Sequence, residues 1–349
     1  MPKMKAIMKK EPSPGATVVD AEIPTIRSDE VLIKVKAASI CGTDLHIYNW
    51  DSWAQSYIKP PRIFGHEFCG EVVEVGKDVK NFHIPRVRAI RTGDFVSAES
   101  HIPCGKCPQC LSDNMHICEN IRMIGGDVNG GYAEYVAIPA ICAWKHNKPI
   151  KAEIASIFEP MGNSVHVVMA ANVEGKSVAI FGCGPTGLFA IGVAKAVGAR
   201  KVIAIDVNKL RLELAQDMKA DEIINGKDYD LLDRIRNVDV VLEMSGSSMA
   251  ITNGLVGLKK GGTFIAFGLP SEPPRIDIAN LVIMKEIKIK GIFGRLMFKT
   301  WEDMDKLIES GRLDPSPAIT HHFPLTQFDE AIKTIKATDI KCGKVVLIP

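Results

Sequence analysis

The stretch SVAIFGCGPTGLFAIGVAKAVGARKVIAID, residues 177–206, decides the fold. Ser177–Phe181 reads as a short apolar strand, Gly187–Val197 as a helix charged only at Lys195, and Lys201–Asp206 as a second strand. Between the first strand and the helix, Gly182-Cys183-Gly184-Pro185-Thr186-Gly187 fits G-x-G-x-x-G. Asp206 ends the next strand at the spacing of about 20 residues that a dinucleotide fingerprint requires. Gly182 allows the tight turn, Gly184 lets backbone approach a pyrophosphate, and Gly187 lets helix and sheet come close. The helix N-terminus adds free N–H groups and the positive end of its dipole. Asp206 can accept hydrogen bonds from ribose hydroxyls and repels a 2′-phosphate, so NAD is expected rather than NADP. By length alone the uncharged run Ser177–Ala194 resembles a membrane span, but Gly182, Gly184, Pro185 and Gly187 interrupt it and the strand–turn–helix reading replaces it.

Outward from this stretch the alternation continues. A helix is expected around Lys209–Lys219, and buried strands at Val238–Met244 and Gly262–Gly268. Strands alternating with helices predict an α/β unit built on a doubly wound parallel sheet. Residues 1 to about 150 read differently. Short alternating runs such as Glu30–Lys36 and Glu71–Val75, punctuated at Gly65, Gly70, Gly76 and Gly93, predict an all-β, barrel-like unit with long loops. Beyond about residue 299 come an amphipathic helix at Trp301–Ser310 and a last strand at Lys344–Ile348, a tail expected to return to the first unit.

Composition narrows the function. The 349 residues are 46% hydrophobic and 24% charged, with 43 basic against 41 acidic side chains and a net charge of +2. Such a chain is globular, fills about two domains, and has no one-signed field to bind nucleic acid or an anionic membrane. Nine cysteines, an odd number, and an N-terminus without an apolar leader point to reduced thiols and a cytoplasmic setting.

Four of those cysteines, Cys104, Cys107, Cys110 and Cys118, lie at C-x2-C-x2-C-x7-C. Four thiolates at this spacing suit a closed tetrahedral zinc site that holds a loop; a ferredoxin run needs its fourth cysteine after three residues. More dispersed are Cys41, His66-Glu67 and Glu159. A thiolate, an imidazole and a carboxylate make a three-ligand site with an open fourth position, as catalytic zinc requires. Each of these residues taken singly also fits an ordinary core or surface position.

Longer segments carry a resemblance. Cys41-Gly-Thr-Asp-Leu-His-Ile-Tyr-Asn-Trp50-Asp, Gly65-His-Glu67, Cys104-Gly-Lys-Cys107, Glu159-Pro-Met-Gly-Asn163, Gly182-x-Gly-Pro-x-Gly187, Gly294-Arg-x-Met-Phe-x-Thr-Trp301 and Ile319-Thr-His-His322 resemble the zinc-containing medium-chain alcohol dehydrogenases from end to end. The HIYNWD and GR-x-MF-x-TW segments narrow the likeness to the branch that oxidises L-threonine. The resemblance implies a GroES-like β-barrel catalytic domain over residues 1–152 and 299–349 and a Rossmann NAD-binding domain over 153–298. It implies catalytic zinc on Cys41, His66 and Glu67, with Glu159 as a relay neighbour or alternating ligand. A proton would pass from Thr43 through a cofactor ribose hydroxyl to His46. Thr186, Asp206, Arg211 and the strand ends Phe267, Gly268, Leu269, Ile292 and Phe293 would contact NAD. The reaction implied is oxidation of the β-hydroxyl of L-threonine to 2-amino-3-oxobutanoate, in a cytoplasmic homotetramer with two zinc ions per subunit and no nucleic-acid or membrane partner.

A zwitterionic substrate needs charged anchors. Glu159 or Glu67 is expected at the ammonium, and His101 and Arg295 at the carboxylate. Polyol and vicinal-diol dehydrogenases share the same metal set and form the alternative reading; a non-catalytic NAD-binding protein is the remote one. The loop Asn81–Thr92, with Arg86, Arg88 and Arg91, departs from the family's short connection and reads as a solvated loop, with a subunit contact or anion site as the lesser alternative. His116 is expected exposed, His166 helical near the domain junction, and Cys69, Cys142, Cys183 and Cys342 buried as small hydrophobes. Trp50 and Trp53 are expected either to wall the cleft or to pack.

Overall fold

The computed structural model describes residues 2–79, 89–337 and 342–349. Its C-terminal half holds a six-stranded parallel sheet in the order Glu222–Asn225, Lys201–Asp206, Ser177–Phe181, Val238–Glu243, Leu258–Ala266, Lys288–Gly291. Chain order reverses beside Ser177–Phe181, whose neighbours are Lys201–Asp206 on one side and Val238–Glu243 on the other. A sheet of this kind binds its ligand at the carboxyl ends of the strands flanking the reversal. The three central strands, Ser177–Phe181, Lys201–Asp206 and Val238–Glu243, are rich in Val, Ile and Ala and mostly buried, as strands covered by helices on both faces are. One of these helices, Pro185–Ala196, buries Leu188, Phe189, Ile191 and Val193. It begins two residues before the expected Gly187, since Pro185 has no N–H to lose at the first helical position and its fixed φ suits a helix start.

The N-terminal half is antiparallel. Glu30–Ser39 is its central strand, paired with Glu67–Val75, with Tyr135–Pro139 and, from the far end of the chain, with Lys344–Ile348. The tail therefore does return to the first unit. Two consequences place the site. Ser39 and Glu67 are cross-strand partners, so the loop beginning at Cys41 starts beside His66-Glu67. Val346 pairs with Ser39, which brings Lys344 to the same end of the sheet. Helix Phe158–Ala171 carries Glu159 in its first turn and packs against both Pro185–Ala196 and Lys299–Glu309.

Cys69, Cys142, Cys183 and Cys342 are buried, as expected. His166 lies on helix Phe158–Ala171 and its Nδ1 meets the Gly294 carbonyl at 3.1 Å. His116 corrects its expectation: it is 6% exposed, because the cysteine lobe turns it inward edge-on to His166, ring centroids 5.3 Å apart. Of the basic loop, Arg86 and Arg88 lie outside the described residues; Arg91 is described, and its N–H donates to Asp94. Among the described residues no helix is long and apolar enough to cross a membrane.

Candidate active site and cofactor cradle

Cys41 caps the N-terminus of helix Gly42–Asn49, just past the central strand. Its N–H donates to Asp44 Oδ2 at 2.8 Å, so the helix start and the cysteine are fixed by one carboxylate. Asp44 is wholly buried; Tyr132 donates its hydroxyl to the same oxygen at 2.6 Å, and Oδ1 faces His66 Nδ1 at 3.6 Å. With Nδ1 turned to Asp44, Nε2 is the nitrogen left for the cluster, the arrangement in which a carboxylate orients a metal-binding imidazole. Glu67, also wholly buried, has Oε2 engaged by Lys344 Nζ at 2.5 Å and by the Ser39 hydroxyl. Among the described residues its Oε1 has no hydrogen-bond partner. One ligand atom from each of Cys41, His66 and Glu67 lies within 4.8 Å of the others.

The charges fit a cation. Burial pushes the Glu67 carboxyl up, against the pull of Lys344. Burial lowers the His66 imidazole, but Asp44 and the Cys41 sulfur outweigh it and raise it well above its usual range. The donor set thus recruits positive charge and leaves a buried carboxylate oxygen unpaired, an energetic cost that a bound divalent ion removes. Thr43 stands at the edge, its Oγ1 3.7 Å from Cys41 Sγ. His46, one turn on, is mostly exposed and its Nδ1 meets Asp51. Trp53 is 39% exposed with its ring 6.0 Å from that of His46, while Trp50 lies under Lys9.

Glu159 continues the site toward the second unit. Its Oε1 accepts from Ser100 at 2.6 Å and pairs with Arg295 Nη1 at 2.9 Å. Burial raises its carboxyl, but Arg295, His66 and Ser100 overcome that and hold it below the usual range. Arg295 corrects its expectation as a substrate anchor. It is 1% exposed, and its N–H groups are spent on both oxygens of Glu99 and on Glu159, Asn163 and Ser100. A guanidinium saturated in this way has no donor left for a substrate carboxylate. His101 is stacked on Phe293 at 5.4 Å, and burial, with Arg295 nearby, pulls its imidazole down to about 3. It is neutral at pH 7, so it offers a hydrogen bond and not a charge.

The glycine turn follows strand Ser177–Phe181. Gly182 has φ of 92°, and a Cβ on Gly187 would fall 1.9 Å from the Gly182 carbonyl oxygen. A Cβ on Gly184 would meet nothing within 4 Å, and no side chain caps the helix that starts there. Open space beside uncapped amides is what a pyrophosphate needs. Asp206 is 8% exposed; Oδ2 accepts from Cys183 N–H and Oδ1 from Asn208 N–H, leaving each oxygen a further lone pair. Arg211 lies beside it, Nη1 to Oδ2 4.0 Å. Thr186 is in the first turn of the helix, its carbonyl accepting from Ser164. Phe267 and Gly268 donate to the Glu243 carbonyl, Ile292 donates to that of Ala266, and Leu269 and Phe293 are exposed, all at the carboxyl edge of the sheet.

Cys104, Cys107, Cys110 and Cys118 come together as free thiols. Backbone N–H groups, that of Lys106 foremost, pull the Cys104 thiol down to about 6, which favours the thiolate a metal takes. Sequence reasoning missed Asp44, Glu99, Tyr132 and Lys344. Asp44 had a local signal, its position three residues after Cys41; Lys344 had none, lying at the far end of the chain from Glu67.

Residues 27–148 match the family model of the alcohol dehydrogenase GroES-like domain, and residues 185–310 that of the zinc-binding dehydrogenase. The chain is 46% identical over 354 residues to an L-threonine 3-dehydrogenase of Bacillus velezensis, and 47% identical over 354 residues to one of Caldanaerobacter subterraneus. In both cases 99% of each chain is covered. Among solved structures, a short chain alcohol dehydrogenase from Escherichia coli CFT073 complexed with NADH superposes with a TM-score of 0.88 at 27% identity, over 99% of each chain.

Proposed function

The chain belongs to the zinc-binding alcohol dehydrogenase family, and from that premise we propose that it oxidises the β-hydroxyl of L-threonine to 2-amino-3-oxobutanoate with NAD as hydride acceptor. The juxtaposition of Cys41, His66 and Glu67, with one oxygen of Glu67 unpartnered, carries the reading. Zinc, when held by these three residues, makes a hydroxyl acidic near neutral pH, and NAD, when held along Gly182–Gly187 and Asp206, accepts the hydride from Cβ.

The chain's own residues do the rest. Lys344 and Ser39 hold Oε2 of Glu67, so Oε1 is the oxygen free to meet a cation. Asp44 orients His66 and fixes the Cys41 loop. Thr43 takes the hydroxyl proton and His46, with its ring in solvent, releases it. Glu159, kept ionised by Arg295, faces the substrate ammonium, and neutral His101 hydrogen-bonds the carboxylate. Cys104, Cys107, Cys110 and Cys118 hold a second, structural zinc. Thr186, Arg211, Phe267, Gly268, Leu269, Ile292 and Phe293 line the NAD path. The catalytic domain comprises residues 1–152 and 299–349 and the NAD-binding domain 153–298, in a cytoplasmic homotetramer.

The test is NADH formation by the zinc-loaded protein with L-threonine, L-serine, sorbitol and butane-2,3-diol. L-Threonine should give the highest kcat/KM; a higher value for the polyol or the diol overturns the threonine assignment, and no NADH with any alcohol returns the chain to a non-catalytic NAD-binding role. In the same assay Cys41→Ser should lose activity and one zinc ion per chain with its circular dichroism unchanged.

A further inference from the structure

Helix Gly42–Asn49 ends at Trp50, whose φ of 57° is left-handed, and the next helix, Ser52–Tyr57, begins at once with Asp51 as its N-cap. The corner folds the chain back on itself: Trp50 N–H donates to the His46 carbonyl at 2.9 Å, and residues 46 and 51 come to face each other. The two oxygens of Asp51 then divide their work. Oδ1 accepts the Ala54 N–H at 3.1 Å and caps the helix; Oδ2 meets His46 Nδ1. The hydrogen bond from His46 is the main reason the Asp51 carboxyl titrates below its usual range, so Asp51 is an anion wherever the enzyme works. An anion cannot donate, and the proton of this hydrogen bond therefore sits on His46 Nδ1.

We propose that Asp51 is a positioning residue for the proton relay: it holds neutral His46 in the Nδ1–H form, keeps the Nε2 lone pair as the acceptor of the departing substrate proton, and steadies the imidazolium that results. The inference rests on the reading of His46 as the outlet of the relay. The balance is simple. The O–H bond of the substrate hydroxyl breaks toward Thr43, one proton arrives at Nε2, and the same proton is lost from Nε2 to water, with Nδ1–H bonded to Asp51 throughout. The electron pair of the Cβ–H bond goes to NAD. In the opposite tautomer Nε2 already carries a proton and the relay has no acceptor until the ring reprotonates at Nδ1 and deprotonates at Nε2. An exposed contact of this kind contributes little to stability, so tautomer choice is what it can deliver.

The test compares zinc-loaded wild type with Asp51→Asn, Asp51→Ser and His46→Gln. Asn and Ser both cap helices well, so Ser52–Tyr57 stays formed in each. The Asn amide can donate to Nδ1 and favours the Nε2–H form, whereas Ser is too short to reach the ring. Both variants should lose kcat with NAD and L-threonine, Asp51→Asn by about tenfold or more, with KM for L-threonine nearly unchanged and a larger solvent isotope effect on kcat. In 15N-histidine-labelled protein, the His46 signal, assigned by its absence in His46→Gln, should show Nδ1–H in wild type and Nε2–H in Asp51→Asn. Wild-type kcat in Asp51→Asn, with or without a change of tautomer, overturns the proposal while leaving His46 in the relay. Wild-type kcat in His46→Gln removes the relay reading itself, and the role of Asp51 with it.

Discussion

At the scale of one residue, the proposed preference for NAD rests on the charge of Asp206. Its carboxylate is nearly buried, fixed by the N–H groups of Cys183 and Asn208, and has Arg211 only at 4.0 Å. A 2′-phosphate placed against it would meet a carboxylate held in a rigid frame, with its ion-pair partner Arg211 no nearer than 4.0 Å. Asp206→Ser should therefore lower the ratio of kcat/KM for NAD to that for NADP by about tenfold or more, equivalent to about 1.4 kcal/mol, as measured in parallel initial-rate series. Equal use of both cofactors by the wild type would refute the electrostatic argument. Asp206 was legible because it ends a strand at a fixed distance from a glycine motif. Arg295 was not read correctly: residue type and motif suggested a substrate anchor, whereas burial and two carboxylate partners make it part of the frame around Glu159. Nothing in a local sequence tells whether an arginine's acceptors come from a ligand or from the protein.

Turns and lobes state their own requirements. In the turn after Ser177–Phe181, Gly187 and Gly184 are both glycine for reasons the structure separates. Gly187→Ala forces a Cβ against the Gly182 carbonyl at 1.9 Å, so it should lower the melting temperature even without cofactor. Gly184→Ala places its Cβ in open space, so the free protein should melt as wild type while NAD affinity, read by fluorescence titration, falls steeply. Loss of melting temperature in Gly184→Ala would mean that the open space is not reserved for ligand. The cysteine lobe is a second such element. Cys107 is buried and lies together with the other three thiols, so Cys107→Ser should lower the melting temperature and release one zinc ion, unlike Cys41→Ser, which should spare the fold. The elements were largely legible: Lys201–Asp206 and Lys344–Ile348 occupy the expected residues, and the helix after the glycine turn begins two residues early and ends one residue early. Period and punctuation carry such information because they act within a few residues.

Across the whole molecule, the far end of the chain completes the site. Lys344 arrives on the last strand, is wholly enclosed, and places its ammonium on Glu67 and the Ile40 carbonyl. Lys344→Met removes the cation beside a buried carboxylate, a loss that costs about 3–5 kcal/mol when nothing replaces the charge. Zinc bound at the proposed Cys41, His66 and Glu67 site would replace part of it, so the variant should lose more melting temperature as zinc-free protein than as zinc-loaded protein in paired thermal scans. Equal losses in the two forms would show that Lys344 does not serve Glu67. By itself the sequence determined the parallel sheet, the dinucleotide turn, the four-cysteine lobe and the residue types able to hold a cation, because each depends on spacing within one segment. Only the tertiary structure decided that Ser39 pairs with Glu67, that Lys344 neutralises it, that Arg295 belongs to Glu99 and Glu159, and that His116 is buried. These depend on which strands become neighbours and on how far each charge is removed from water, quantities that arise only when segments distant in the chain exclude solvent together.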